Sequence, residues 1–212
     1  MTNSTNKTIL YYTGNFKDPV FSQKIRDNII ANTDLPIVKV TQKPTDFGRK
    51  VKSLYIGEMG PSYLNVYRQI QMGAMAIDTE YIVFCEDDFL YPPDYFTFDP
   101  PGGDFYRHDN TWMVLKRGPF YKTKPIGGAQ IMKTEVCIKV LDEYLKDQPL
   151  FGNKRIRKPD YMGIDFELFT GNPIVAFKPD GNLSRSGSTI NVTANELPIW
   201  GKVKELRKEY LG

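Results

Sequence analysis

Tyr81-Ile82-Val83-Phe84-Cys85-Glu86-Asp87-Asp88 is the stretch on which the fold turns. Five apolar residues in a row that end abruptly in charge read as a strand buried on both faces, the type that parallel sheets use. Just before it, Tyr63, Tyr67, Ile70, Ala74 and Ile77 recur at the spacing of one helical face. That spacing predicts a helix over 61–78 whose other face offers Asn65, Arg68 and Met72 to a ligand or to water. Further back, 9–13 and 36–40 read as strands. The helix between them opens at Asp18-Pro19 and buries Phe21, Ile25 and Ile29. Residues 42–60 read as a connecting loop with room for one short element. Strand, helix, strand, helix, strand is the order of an α/β sheet, and open α/β sheets bind ligands at the carboxyl ends of their strands. Glu86-Asp87-Asp88 therefore stands where a site belongs.

Beyond the acid triplet, Pro92-Pro93 and Pro100-Pro101-Gly102-Gly103 force irregular chain, and 112–115 resumes a strand. Gly127-Gly128-Ala129 precedes a helix over 134–145 with an apolar face of Cys137, Val140, Leu141 and Tyr144. Lys154 to Lys158 (KRIRK) is a basic loop, 160–169 reads as helical, 173–177 as a strand and 197–211 as a charged terminal helix. With 212 residues, 41% of them hydrophobic, the chain can bury a core, which excludes disorder as its main character. No apolar run approaches the roughly 18–20 residues a membrane helix needs, so no membrane span is expected. The opening MTNSTNKTILYY shows no apolar leader-like run, so a cytoplasmic location is expected. Two cysteines, Cys85 and Cys137, are too few for a disulfide scaffold and lack metal-type spacing; both read as buried thiols.

The net charge is only +3, but its distribution is uneven. Between Glu80 and Asp109 lie eight acids and one base, Arg107, while bases predominate on either side. An acidic centre with basic flanks suits a place where a cation meets phosphates. Three adjacent carboxylates after a buried strand are costly unless neutralised, and a hard divalent ion, Mg2+ or Mn2+, is the usual means. Such an ion stabilises a departing diphosphate as a Lewis acid. A solvated acidic loop is the competing reading of the triplet alone.

A helix carrying Asn and Arg, then a YIVF strand, then EDD, resembles the nucleotide-binding half of the GT-A glycosyltransferases. The match in order runs from about residue 8 to 180. The resemblance implies one unit over 1–212: a nucleotide-binding half over about 8–90, a donor-sugar and acceptor half over about 91–180, and a C-terminal helix over 195–212. Its sheet would be mixed and mainly parallel, flanked by helices. It also implies transfer of a sugar from a nucleotide-diphosphate sugar to an acceptor hydroxyl, with inversion and a metal ion.

In that frame Tyr12, Thr13, Asn15, Asn65, Arg68, Glu86 and Asp87 would meet the nucleotide, and Asp88, with Asp87, would hold the metal. Gly127-Gly128-Ala129 resembles a donor-sugar loop, although a glycine pair alone is equally an ordinary turn. Gly163-Ile164-Asp165-Phe166-Glu167 resembles the catalytic segment, with Asp165 as general base and Glu167 as its substitute. Two solvent-facing carboxylates would look the same. The sequence departs from the pattern where many such enzymes take a further metal ligand from a histidine near the C-terminus. Its single histidine is His108, so Asp180, Asn182, Ser184 or water would fill that place.

The acceptor loops are expected at 89–125 and 150–160, and a cell-surface glycan or a protein would be ordinary acceptors. The bases Lys116, Arg117, Lys154, Arg155, Arg157 and Lys158 also suit double-stranded DNA with hydroxymethylated bases, as in the base-glycosylating enzymes of bacteriophages, while His108 reads as a surface or packing histidine, with a place near the acceptor as the alternative. The compartment would then be the host cytoplasm. Phe105, Tyr106, Phe120 and Tyr121 are the aromatic candidates for stacking on a flipped base. The competing classes are a sugar nucleotidyltransferase, which needs a glycine-rich, Arg-containing loop after the first strand that Tyr12-Thr13-Gly14-Asn15-Phe16 does not supply, and a non-catalytic nucleic-acid-binding module.

Overall fold

The computed structural model describes residues 6–152, 164–180, 183 and 189–212. Strand β1 (Lys7–Thr13) leads into helix α1 (Pro19–Asn32), whose first turn is closed by the Asp18 carboxylate accepting from Phe21 N at 2.8 Å. β2 (Ile37–Thr41) and β3 (Lys52–Tyr55) follow, then α2 (Tyr63–Ala74), capped by the Ser62 hydroxyl. β4 (Tyr81–Glu86) is the buried apolar run, and β5 (Phe89–Leu90) and α3 (Pro93–Thr97) succeed it. The rest comprises β6 (Phe105–His108), β7 (Thr111–Val114), β8 (Phe120–Thr123), β9 (Gln130–Lys133), α4 (Thr134–Leu145), β10 (Glu167–Phe169), β11 (Ile174–Phe177) and β12 (Thr189–Ala194). It closes with β13 (Glu196–Leu197), β14 (Gly201–Lys202) and α5 (Val203–Leu211).

Among the described residues, seven strands form the main sheet in the order β10-β6-β9-β4-β1-β2-β3. β1, β2, β3 and β4 are mutually parallel, β9 runs against β4 and β6, and β10 is parallel to β6. The sheet is therefore mixed and mainly parallel, and the ends of β1, β2, β4 and β6 share an edge with the start of β9. A second sheet, β12-β8-β7-β11-β5, hangs from that edge, because β5 begins directly after Asp88 and Phe177 N donates to Asp88 O at 2.8 Å.

The alternation of β1 and β4 feeds two apolar layers. Ile9, Tyr11, Val83 and Cys85 face α1 and the second sheet, while Leu10, Tyr12, Ile82 and Phe84 face α2 and α4. α2 lies close on the sheet because Gly73 has no side chain: a Cβ there would come within 2.9 Å of Val40 Cγ2. Both cysteines are buried and free, and burial pushes the Cys137 thiol up to about 12. Among the described residues no helix is long and apolar enough to cross a membrane.

Two sequence expectations are corrected here. Of 160–169, the described residues are not helical: 164–166 are irregular and 167–169 pair with β6. Ile164, Phe166 and Leu168 alternate with Asp165 and Glu167, a period of two that marks a strand. The terminal helix begins at Val203 and not at 197, because Pro198 and Gly201 (φ 69°) break the chain into the β13–β14 hairpin first.

Candidate functional site

The parallel register sets Tyr12 opposite Glu86, so the last residues of β1 meet the acid triplet. The Tyr12 hydroxyl donates to Glu86 Oε1 at 2.8 Å, and the Thr13 hydroxyl donates to Asp87 Oδ2. Lys17, in the loop between β1 and α1, places its ammonium on Asp87 Oδ1 and 3.9 Å from Asp88 Oδ2. Asp87 and Asp88 are buried and Lys17 nearly so, its side chain 12% exposed. Burial alone would lower the Lys17 pKa, but Asp87, Asp88 and Glu86 outweigh it and hold the amine above its ordinary value, so Lys17 is a cation. Glu86 is pushed above the usual carboxylate value by burial and then by the Asp88 charge, against the pull of Tyr12, Lys17 and Lys178.

Tyr91 joins this cluster to the glycine loop. Its hydroxyl accepts from Glu86 N at 2.9 Å and donates to Gly128 O at 2.6 Å. Continuing the β4–β9 register brings Gly128 opposite Glu86, so one buried phenol spans the gap between the two strands. Gly127 and Gly128 form a turn, Ala129 is fully buried, and a Cβ on Gly128 would lie within 2.9 Å of the Phe89 ring. Asn15, in the left-handed region at φ 58°, accepts from Gln42 N and Lys43 N and donates to the Thr45 hydroxyl at 2.8 Å. It ties the loop after β1 to the loop after β2. Tyr12, Thr13, Asn15, Glu86, Asp87, Asp88 and Gly128 thus converge on one edge.

Other candidates are placed elsewhere. Asn65 and Arg68 do not look outward. Asn65 is fully buried, donates to Met59 O and Gly60 O at 2.8 and 2.7 Å, and accepts from Gly152 N at 3.0 Å. Arg68 donates to Leu145 O and Gln148 O at 2.9 and 2.8 Å, neutralising the carboxyl end of α4. His108 is a buried packing histidine: Asn110 N donates to Nδ1, the ring meets Tyr95 and Phe169 edge-on, and burial lowers its pKa to about 4.

Asp165 and Glu167 are exposed at the outer edge of the sheet, the latter beside Gly103 and Tyr106. β10 lies three strand positions from β4, about 14 Å at ordinary spacing, and the register sets Glu167 level with Val83, so both acids lie toward the amino end of β4 and away from the triplet. Lys116 and Arg117 are exposed on the β7–β8 turn, where Lys116 pairs with Asp180 at 2.9 Å. Lys154, Arg155, Arg157, Lys158, Gly163, Asn182 and Ser184 lie outside the described residues. Phe105, Tyr106 and Phe120 cannot stack on a base, because all three are core side chains.

Lys17, Tyr91 and Lys178 were not picked out from the sequence. Lys17 carried a usable signal, since the loop after a first parallel strand opens onto the binding edge. Tyr91 carried none, because its role depends on a register between strands far apart in the chain.

A hard divalent ion suits the chemistry of this donor set, two buried carboxylates at a strand end. Among the described residues no group of three acidic, histidine or cysteine side chains is arranged to hold an ion.

No family model matches the sequence, and no curated protein matches it. Solved structures do. The 1–349 portion of S. aureus TarS superposes with a TM-score of 0.50 at 14% identity over 81% of this chain, which spans 60% of that portion. HddC from Yersinia pseudotuberculosis gives 0.50 at 9% identity over 80% of this chain and 92% of its own. The chain has a GT-A-like fold. The mannosyltransferase PcManGT from Pyrobaculum calidifontis, solved with GDP-Man and Mn2+, gives 0.49 at 15% identity over 80% of this chain and 56% of its own. At these identities the likeness concerns the fold, and the chemistry rests on the residues of this chain.

Proposed function

We propose that the protein is a glycosyltransferase that moves a sugar from a nucleotide-diphosphate donor to an acceptor hydroxyl with inversion. One observation carries this reading. The loop after β1, the acid triplet after β4 and the glycine turn before β9 meet at the carboxyl edge of a GT-A-like sheet, and Tyr91 joins the last two. The nucleoside would lie against Tyr12, Thr13 and Asn15, and the sugar over Gly127-Gly128-Ala129. Asp88, with Asp87, would hold Mn2+ or Mg2+, which when bound supplies charge stabilisation for the departing diphosphate.

The acceptor oxygen attacks the anomeric carbon as the bond from that carbon to the phosphate oxygen breaks, and the nucleoside diphosphate leaves. Asp165 takes the hydroxyl proton, with Glu167 as its substitute. For the acceptor, the exposed Lys116-Arg117 turn favours an anionic molecule, and double-stranded DNA with hydroxymethylated bases is the first to test.

The test is a donor screen with and without chelator, on wild type and Asp88→Asn. Hydrolysis or transfer from one nucleotide sugar, with turnover lost in Asp88→Asn, is the expected result. Wild-type turnover in Asp88→Asn would overturn the metal assignment. Salt-sensitive DNA binding with no turnover of any donor would leave a nucleic-acid-binding module instead. Transfer to a soluble glycan but not to hydroxymethylated duplex would move the acceptor.

A further inference from the structure

The acid triplet already has a cation seated on it, and that cation belongs to the chain. Lys17 reaches in from the β1–α1 loop, contacts Asp87 Oδ1 directly and lies 3.9 Å from Asp88 Oδ2. The loop holds it there from both ends. Thr13, four residues earlier, is bound to the other oxygen of the same carboxylate, and its own carbonyl accepts from the buried Gln69 at 2.8 Å. Asp18, the next residue, is fixed as the cap of α1. A divalent ion held by these carboxylates would lie close to the Lys17 ammonium, and two cations that near each other repel strongly in a buried site.

We infer that Lys17 is an exchangeable internal counter-ion: it holds Asp87 and Asp88 in place while no divalent ion is present, and it must swing off Asp87 before an ion can bind there. The β1–α1 loop thereby becomes the moving part of the site. Released from the carboxylates, the ammonium remains at the same strand edge, where the donor's diphosphate would supply a new anionic partner. The inference rests on reading Glu86-Asp87-Asp88 as the cation end of a donor site, but not on sugar transfer. A chain that exchanges Lys17 for Mn2+ yet turns over no donor would keep this inference and lose the transferase reading.

Two measurements test it on the full chain with Mn2+ alone. In the first, lysines are acetylated with acetic anhydride and quantified by mass spectrometry across a Mn2+ titration. Lys17 should be protected without the ion and become modified as the ion saturates, while exposed Lys116 is modified throughout. Lys17 that is as reactive as Lys116 without the ion, or equally protected at saturation, overturns the exchange.

In the second, Mn2+ binding is compared in wild type and Lys17→Met by calorimetry and by the spin-resonance signal of free Mn2+. Removal of the competing ammonium should tighten Mn2+ binding by at least about tenfold. Lys17→Met should also melt lower than wild type without the ion and regain that loss with it, because Asp87 and Asp88 lose the ammonium that lies on them. Equal affinity in the two chains, or no binding in either, overturns the inference. If Lys17→Met does not fold, Lys17→Gln is measured against the same outcomes, and the acetylation result on wild type decides alone if that fails too.

Discussion

Replacing Tyr91 by Phe removes one oxygen atom from the middle of the site and nothing else. That oxygen accepts the Glu86 N–H at 2.9 Å and donates to Gly128 O at 2.6 Å, and the side chain is fully buried. The ring keeps its stacking on Tyr95 at 4.9 Å and on Phe89 at 5.8 Å, so little packing is lost. What is lost is two hydrogen bonds, leaving an amide and a carbonyl where water has poor access. A buried polar group left unsatisfied costs about 1–3 kcal/mol. With partial relaxation of the glycine turn, the expected loss is about 2–4 kcal/mol. For a chain of this length each kcal/mol is about 2–4 °C, so Tm should fall by roughly 5–15 °C. Urea unfolding followed by tryptophan fluorescence would read the change as a shift of midpoint at constant slope. If the acid triplet and the glycine turn are coupled through this phenol, donor affinity should weaken as well. A variant within about 0.5 kcal/mol of wild type would refute the claim that Tyr91 holds the two segments together.

His108 gives a pH test. Its pKa in the fold is near 4, below the ordinary 6.5, so its contribution is complete above pH 6.5 and is lost as pH falls towards 4. Between pH 7 and 5 the loss should be about 2 kcal/mol, read from urea unfolding, and His108→Gln should flatten that dependence; an unchanged slope in the variant counts against a buried neutral imidazole. Gly128→Ala forces a methyl against the Phe89 ring, so a loss of about 1–3 kcal/mol is expected, checked by thermal melting. Asp165→Asn should keep donor binding and cut transfer by about 10²–10⁴, with Glu167→Gln falling less. The reverse order would exchange their roles, and a retained anomeric configuration would remove the base altogether.

Much of the first half of the chain was legible in the sequence because its signals are local. A buried run that stops in charge, a helix with one apolar face and an Asp-Pro start each depend on residues within a few turns of one another, and β4, α2 and α1 appear where those patterns put them. The rule that parallel strands present their carboxyl ends to ligands then placed Glu86, Asp87 and Asp88 correctly at the edge.

The second half was harder to read for a physical reason. β6, β9 and β10 are three or four residues long and owe their state to neighbours in the sheet, so their own periodicity was brief or was taken for another element. Sequence also could not say which way a polar residue on a helix turns. Asn65 and Arg68 look like ligand contacts on a helical wheel, yet their side chains bond the carbonyls of Met59, Gly60, Leu145 and Gln148 instead. The acid triplet itself was determined by sequence. That Lys17 sits on it, and that Tyr91 ties it to Gly128, was decided only by the packing of β1, β4 and β9, because hydrogen-bond partners across a sheet are set by register and not by distance along the chain.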